Sequence, residues 1–334
     1  MKVLRFLLIL VVLGVVALGF AYWQITSPYK GFEDPVFVDI PRGASTRFIA
    51  RLMARKGVVR NEWDFLGARV LNDGVTLQAG EYEFSQPASA AEVLGRIGRG
   101  DTYFLKLVIP EGFNTYDMAP VIARLGTIPE KDFLKAVRDT SLIRDLDPKA
   151  PTLEGYLFPD TYHLKRTTTA KQLCLMMTDR FRAEWSALNG HDIHNTVTLA
   201  SLIEREARVA AERPVIASVF TNRLENGMRL GCDPTTVYAA LVAGEYRGKI
   251  YRSDLERDSP WNTYRVSGLP PGPIASPGLS SLKAALSPAD TNYLYFVAKG
   301  DGSGTHNFSQ TLSEHQEATE VFRRAEKQAS ENRP

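Results

Sequence analysis

The amino-terminal stretch constrains this chain more than any other. After Lys2 and Arg5, residues 6–23 run for 18 positions without a charge. At a rise of ~1.5 Å per residue, such a helix reaches ~27 Å, close to the thickness of a bilayer's hydrocarbon core. Tyr22 and Trp23 close the run, and rings of this kind favour the membrane–water interface. The pattern predicts a transmembrane helix with Lys2 and Arg5 held in the cytoplasm and the rest of the chain exported. A cleaved signal peptide is the competing reading, because Ala17-Leu18-Gly19 and Gly19-Phe20-Ala21 are small-x-small sequences. The apolar core of a signal peptide usually spans only ~7–15 residues, which favours an uncleaved anchor. Both readings place the body of the protein outside the cytoplasm.

That body is long enough for two domains: the chain has 334 residues, against roughly 150 per domain. Hydrophobic content of 44% and charged content of 23% suit a globular protein with a real core. A net charge of +2 gives no basic field for nucleic acid. Cys174 and Cys232 stand far apart, outside any CxxC pattern, and the five histidines form no HExxH. The inventory implies neither a metal nor another cofactor.

Taken in order, residues 26–35 read as a linker. Residues 36–40 (VFVDI) read as a strand, and Ser45 caps a helix that Gly57 stops. Residues 61–71 form a second helix, Asn72-Asp73-Gly74 a turn, residues 77–84 a second strand, and Ser89 caps a helix ending near Gly98. This βααβ unit, residues 36–102, reads as a small separable module, or as a spacer packed on the main domain. Residues 103–109 predict another strand, followed by helices over 115–125, 130–137 and 170–185. Between them, residues 153–162 (LEGYLFPDTY) are aromatic and poor in helix formers. They could wall a sugar site, since pyranose faces pack on aromatic rings, or fill a core. Pro214 opens one helix at N1, Gly227 ends it, and Asp233-Pro234 reads as an N-cap and N1 pair for the next. Ser280 caps a short helix. Residues 293–298 and the segment around His306 and Phe308 make a hairpin about a glycine-rich turn. Ser313 and Gln316 read as a capping box for the last helix. Residues 329–334 should fray.

The chemistry falls in residues 196–234. On a helical wheel over 199–213, Leu199, Leu202, Ile203, Ala207 and Ala210 share a face, with Glu206 in its middle. Glu204 points about 200° away, towards Arg208 at i+4, where a surface ion pair is expected. A carboxyl against an apolar wall keeps its proton to higher pH, which suits a general acid. The structural alternative is a buried Glu satisfied by Arg205, Arg208 or Arg213.

Several stretches resemble one family in wording and order: LEGYLFPDTY, ASLIERE (200–206), ERPVIASVFTNRLENGMRLGCDP (212–234), NTY (262–264), GLPPGPI (268–274) and YLYFV (293–297), with His306 and Phe308. They resemble the endolytic murein transglycosylases, the YceG-like or MltG proteins of the bacterial inner membrane. The resemblance implies an α+β protein: a cytoplasmic tip and anchor over residues 1–25, a LysM-like βααβ module, and a mixed α+β catalytic domain over 103–328. It implies an enzyme that cuts peptidoglycan glycan strands internally between N-acetylmuramic acid and N-acetylglucosamine. The muramic acid 6-hydroxyl attacks its own anomeric carbon and leaves a 1,6-anhydro end. The second Glu of the family's E-x-E pair, Glu206 here, is implied as the single acid/base. Glu154, Tyr156, Asn262, Tyr264 and His306 are candidates for holding substrate. A single-pass inner-membrane location with a periplasmic C-terminal domain is implied, as is association with the peptidoglycan synthesis machinery. Gly231-Cys232 departs from the polar residues common there in relatives. The alternatives are a muramidase using water, which needs a second carboxylate such as Glu154 or Asp233, and a non-catalytic peptidoglycan-binding scaffold.

Overall fold

The computed structural model describes residues 2–331. The chain divides in sequence between Leu105 and Lys106 into two compact units. The fold is mixed α+β.

The first unit opens with α1 (Lys2–Thr26). It is long and apolar enough to cross a membrane, and none of its apolar window is buried inside the protein. There follow β1 (Val36–Ile40), α2 (Thr46–Arg55), α3 (Glu62–Leu71), β2 (Gly80–Phe84) and α4 (Ala90–Arg99). β1 and β2 pair antiparallel, from Val36 opposite Phe84 to Ile40 opposite Gly80. Alternation along the strands turns Val38, Ile40, Tyr82 and Phe84 inward. They meet Ile49 and Met53 of α2, Phe65 of α3, and Leu94 and Ile97 of α4 in one core. The three helices begin where short polar side chains satisfy free N–H groups. Ser45 accepts from Phe48, Asn61 from Trp63 and Asp64, and Ser89 forms a reciprocal box with Glu92. Ile25, near the end of α1, packs on α3 at Gly67, where an added Cβ would lie 2.7 Å from Ile25 Cδ1.

The second unit contains α5 (Thr115–Ala123), α6 (Glu130–Ala136), α7 (Ala170–Leu188), α8 (Ile193–Glu206), α9 (Arg213–Glu225), α10 (Asp233–Val242), the single turn α11 (Arg252–Leu255), α12 (Leu279–Leu286) and α13 (Leu312–Glu331). β3 (Leu105–Val108), which begins at the boundary residue, pairs with β4 (Thr161–Leu164), and β5 (Tyr295–Ala298) pairs with β6 (His306–Ser309). α8 is the axis of this unit. Every residue from 196 to 203 is buried, so the helix is covered on all sides. α9, α10 and α12 pack around it. Its buried hydroxyls are satisfied locally: Thr198 Oγ1 donates to His194 O at 2.7 Å, and Ser201 Oγ to Thr198 O at 2.7 Å. Ser201 Oγ also receives the N–H of Ile274 at 3.1 Å, tying the proline-rich segment to the axis.

Four sequence expectations need correction. The pivotal helix does not run to residue 212. It starts at Ile193 and ends at Glu206, and Ala207 is extended at φ −76°, ψ 111°. Residues 210–212 make a 3-10 turn instead. Tertiary contacts override the helical pattern here, because Glu212 is held by the backbone N–H and imidazole of His306 at 2.9 and 2.8 Å. The short helix near Ser280 begins at Leu279 behind Gly278, whose N–H is fixed by the Glu204 carboxylate at 3.0 Å. The last helix opens at Leu312 because the reciprocal cap is Thr311 with Glu314, not Ser313 with Gln316. Asp233 is the first residue of α10 rather than its cap, and its side chain makes no cap bond. The tail expected to fray begins inside α13, and residues 332–334 lie outside the described residues.

Candidate active site

The E-x-E pair at the end of α8 splits between two environments. Glu204 is not the surface residue that the wheel predicts. Its side chain is 5% exposed and pairs with Arg213 at 2.8 Å. Arg213 in turn bonds Ser281 Oγ at 3.0 Å. With its second oxygen on Gly278 N–H, Glu204 ties α8, the start of α9 and the start of α12 together. The wheel fails because residues 207–212 leave the helix. Arg208 is carried away, and Arg213 folds back onto Glu204. The structural fate considered for Glu206 belongs to its neighbour.

Glu206 is the last residue of α8 and lines a cleft of about 610 Å³. Its one hydrogen bond among the described residues comes from the Cys232 thiol, 3.1 Å from Oε1. Burial pushes its carboxyl above the ordinary range. The Cys232 bond opposes this, and the nearby Asp233 charge adds to it. The negative end of the α8 dipole acts in the same direction as burial. Burial and the Glu206 charge hold the Cys232 thiol in its protonated form, well above the ordinary thiol range. Cys232 is therefore a donor to the carboxylate and not a competing base.

The rest of the cleft comes from four segments. Arg223 of α9 donates to Leu230 O at 2.7 Å and lies over the Tyr295 ring at 5.2 Å. Tyr264 donates to Asp233 Oδ1 at 2.6 Å. The hairpin β5–β6 supplies Phe296 and His306, whose rings meet edge to face at 5.3 Å. One face of α13, including Thr319 and Phe322, completes the lining. A carboxylate only accepts, so the His306 Nδ1 facing Glu212 carries the hydrogen and Nε2 is the ring's other polar atom.

Of the six residues expected at the site, the cleft brings together Glu206, Tyr264 and His306. The other three do not line it. Glu154 is buried, with Oε2 taking the N–H and hydroxyl of Thr115 at 3.0 and 2.8 Å. Its Oε1 is buried without a hydrogen-bond partner among the described residues. Tyr156 is buried and donates to Asp147, which also bonds His194 at 2.7 Å. Asn262 is buried, and its amide donates to Leu255 O at 3.0 Å and Arg257 O at 2.8 Å. It holds the loop that carries Tyr264 and so acts at one remove. Sequence reasoning missed Arg223, Phe296 and the role of Cys232. Cys232 had a readable signal, its place directly before the start of α10. The α13 face had none, since a solvent-exposed amphipathic helix reads the same way.

Comparison with known proteins identifies the family of the chain. The profile of the YceG-like family matches residues 38–321. A Bacillus subtilis (strain 168) protein named endolytic murein transglycosylase is 34% identical over 316 residues, spanning 88% of this chain and 86% of its own length. A protein of the same name from Streptococcus pneumoniae serotype 2 is 29% identical over 297 residues; the match covers 79% of this chain but only 54% of that relative. The crystal structure of a YceG-like protein from Listeria monocytogenes superposes with a TM-score of 0.56 at 36% identity, covering 86% of this chain and 99% of the other. On profile, sequence and fold together, this chain belongs to the YceG-like family.

Proposed function

We propose that this protein is an endolytic lytic transglycosylase of peptidoglycan, with Glu206 as its acid/base. One observation carries the assignment of Glu206: it is a desolvated carboxyl with no ion pair among the described residues, open to a cleft, whereas Glu204 is neutralised in the interior. The names of the Bacillus and pneumococcal relatives support the reaction class.

In the first half-reaction, protonated Glu206 gives its proton to the glycosidic oxygen as the bond to the muramic acid anomeric carbon breaks. In the second, the Glu206 carboxylate takes the proton of the muramic acid 6-hydroxyl as that oxygen bonds to the same carbon. Glu206 returns to its starting state, no water is consumed, and the product carries a 1,6-anhydro ring. One group alternating between acid and base suffices. Between the two steps Glu206 is charged, and the Cys232 thiol stabilises that form. Tyr264 and Phe296 offer ring faces to sugars, and His306 offers a polar nitrogen.

The second reading is a muramidase. Asp233 favours it, because it is a carboxylate in the same cleft as Glu206 and paired carboxylates are the usual hydrolytic arrangement. Its hydrogen bond from Tyr264 also suits a fixed negative charge near a developing oxocarbenium ion, which either reaction needs. Mass spectrometry of digested glycan strands separates the two, since anhydro ends are lighter than reducing ends by one water. Reducing muramic ends as the main product would move the assignment to the muramidase.

The finer parts of the reading concern the rest of the chain. α1 is a single-pass inner-membrane anchor with Lys2 and Arg5 in the cytoplasm and the catalytic unit in the periplasm. The βααβ module is LysM-like and holds glycan. Association with peptidoglycan synthesis proteins follows from the family resemblance. The charge asymmetry of α1 and the independent core of the first unit support the first two.

A further inference from the structure

Helix α3 is apolar on two faces. Phe65 and Ala68 point into the core of the first unit and are fully buried. On the opposite side Trp63, Val70 and Leu71 are 66%, 78% and 56% exposed. Positions 63, 67, 70 and 71 fall within about 100° of one another around a helix, so they form one stripe with Gly67. A water-facing stripe of this kind is costly on an isolated soluble module.

The stripe does not stand alone. Val70, Leu71 and Gly67 form one wall of an almost wholly apolar groove of about 420 Å³, and Leu18, Ala21 and Tyr22 of α1 form part of the other. The α1 residues lie inside the uncharged run that spans the bilayer, so whatever surrounds Leu18 and Ala21 there also reaches Val70 and Leu71. The relative placement of the two helices is fixed. Ile25 seats on Gly67. The Arg60 guanidinium donates to Gln24 O and Ser27 Oγ, both at 3.1 Å, and lies over the Trp23 ring at 5.6 Å.

We propose that α3 lies in the membrane interface beside α1, with Trp63, Val70 and Leu71 against lipid, so that the first unit is docked on the bilayer rather than tethered above it. This rests on the reading of α1 as a membrane anchor. Lipid is the occupant because the groove is continuous with the spanning helix. Asp73, whose side chain is 97% exposed just beyond the stripe, bounds the depth. α3 sits at the headgroup–acyl boundary, where interfacial helices bury their apolar face by ~5–10 Å.

The test uses the full-length protein in phosphatidylethanolamine–phosphatidylglycerol vesicles, with an environment-sensitive fluorophore on Val70→Cys or, separately, on Leu18→Cys. Cys174 and Cys232 are buried and leave the introduced thiol as the reactive one. Vesicles carrying acyl-chain nitroxide lipids should quench both labels, removing at least about half the emission at position 70, as an interfacial depth requires. A label quenched at position 18 but not at 70 overturns the docking while leaving the anchor intact. A label unquenched at position 18 removes the anchor reading and the docking with it. A second variant, Val70→Asp with Leu71→Asp, changes only exposed side chains. It should at least halve the quenching of a label on Trp63→Cys if that position is immersed with the stripe. Unchanged quenching would contradict the proposal.

Discussion

Replacing Glu204 by Gln should damage stability, and replacing Glu206 by Gln should damage catalysis. Glu204 and Arg213 are 5% and 11% exposed and 2.8 Å apart. Removing one partner of a buried pair costs about 3–5 kcal/mol because the other charge is left desolvated. Two features reduce this. Gln can still accept the Gly278 N–H, and the Glu111 carboxylate, 4.0 Å from Arg213, retains part of the compensation. A loss of about 2–3 kcal/mol follows, which lowers the melting temperature of a unit this size by roughly 5–10 °C. Glu204 does not line the cleft, so turnover per folded molecule should stay within about threefold of wild type. Glu206→Gln removes the transferable proton and should lose roughly 100-fold or more in turnover. Its melting temperature should hold or rise, because a desolvated acid becomes a neutral amide. Both variants would be purified, melted by circular dichroism, and assayed below their transitions on the same glycan strands. A Glu204→Gln protein as stable as wild type yet inactive would refute the division of roles.

Three further outcomes are expected. Activity should fall as pH rises through the raised pKa of Glu206, because the proton donor is lost. Cys232→Ser, a better donor to the carboxylate, should move that limb to lower pH and Cys232→Ala to higher pH; a limb that does not move would remove Cys232 from the site. Burial pushes the Glu154 carboxyl up to about 7 from an ordinary 4.5. The folded state then holds the proton more tightly than the unfolded chain, so stability falls as pH rises from ~4.5 to ~7, by up to about 3 kcal/mol. Glu154→Gln should flatten that window in urea titrations at successive pH values, and an unchanged slope would contradict the burial argument. A reporter fused to the C-terminus and active only in the cytoplasm should be silent, and its activity would reverse the topology proposed for α1.

What the sequence could disclose follows from the range of the forces involved. α1 and the capped helices of the first unit were legible because apolar runs, Ser45, Asn61 and Ser89 act over a few residues. The hairpin carrying His306 was legible from its glycine-rich turn. Glu206 stood out as a carboxyl among Leu202, Ile203 and other apolar neighbours, and the cleft contains it. The cap positions at Asp233 and Ser313 were off by one or two residues, and the larger errors came from contacts between residues far apart in the chain. The His306–Glu212 bond ends the helical pattern that would have continued past Glu206, and the return of Arg213 reverses the expected fate of Glu204. Glu154, Tyr156 and Asn262 stand out in sequence as polar residues in unusual wording. Their partners Thr115, Asp147 and the 255–257 backbone could be found only in three dimensions.

The most direct test of the central claim is a mass spectrum of the ends produced when wild type and Glu206→Gln act on the same purified glycan strands. The account predicts 1,6-anhydromuramic ends from internal cuts by wild type, and a yield lower by roughly 100-fold or more from the folded variant. Undiminished anhydro ends from Glu206→Gln would contradict the assignment of the acid/base, and reducing ends from wild type would contradict the reaction.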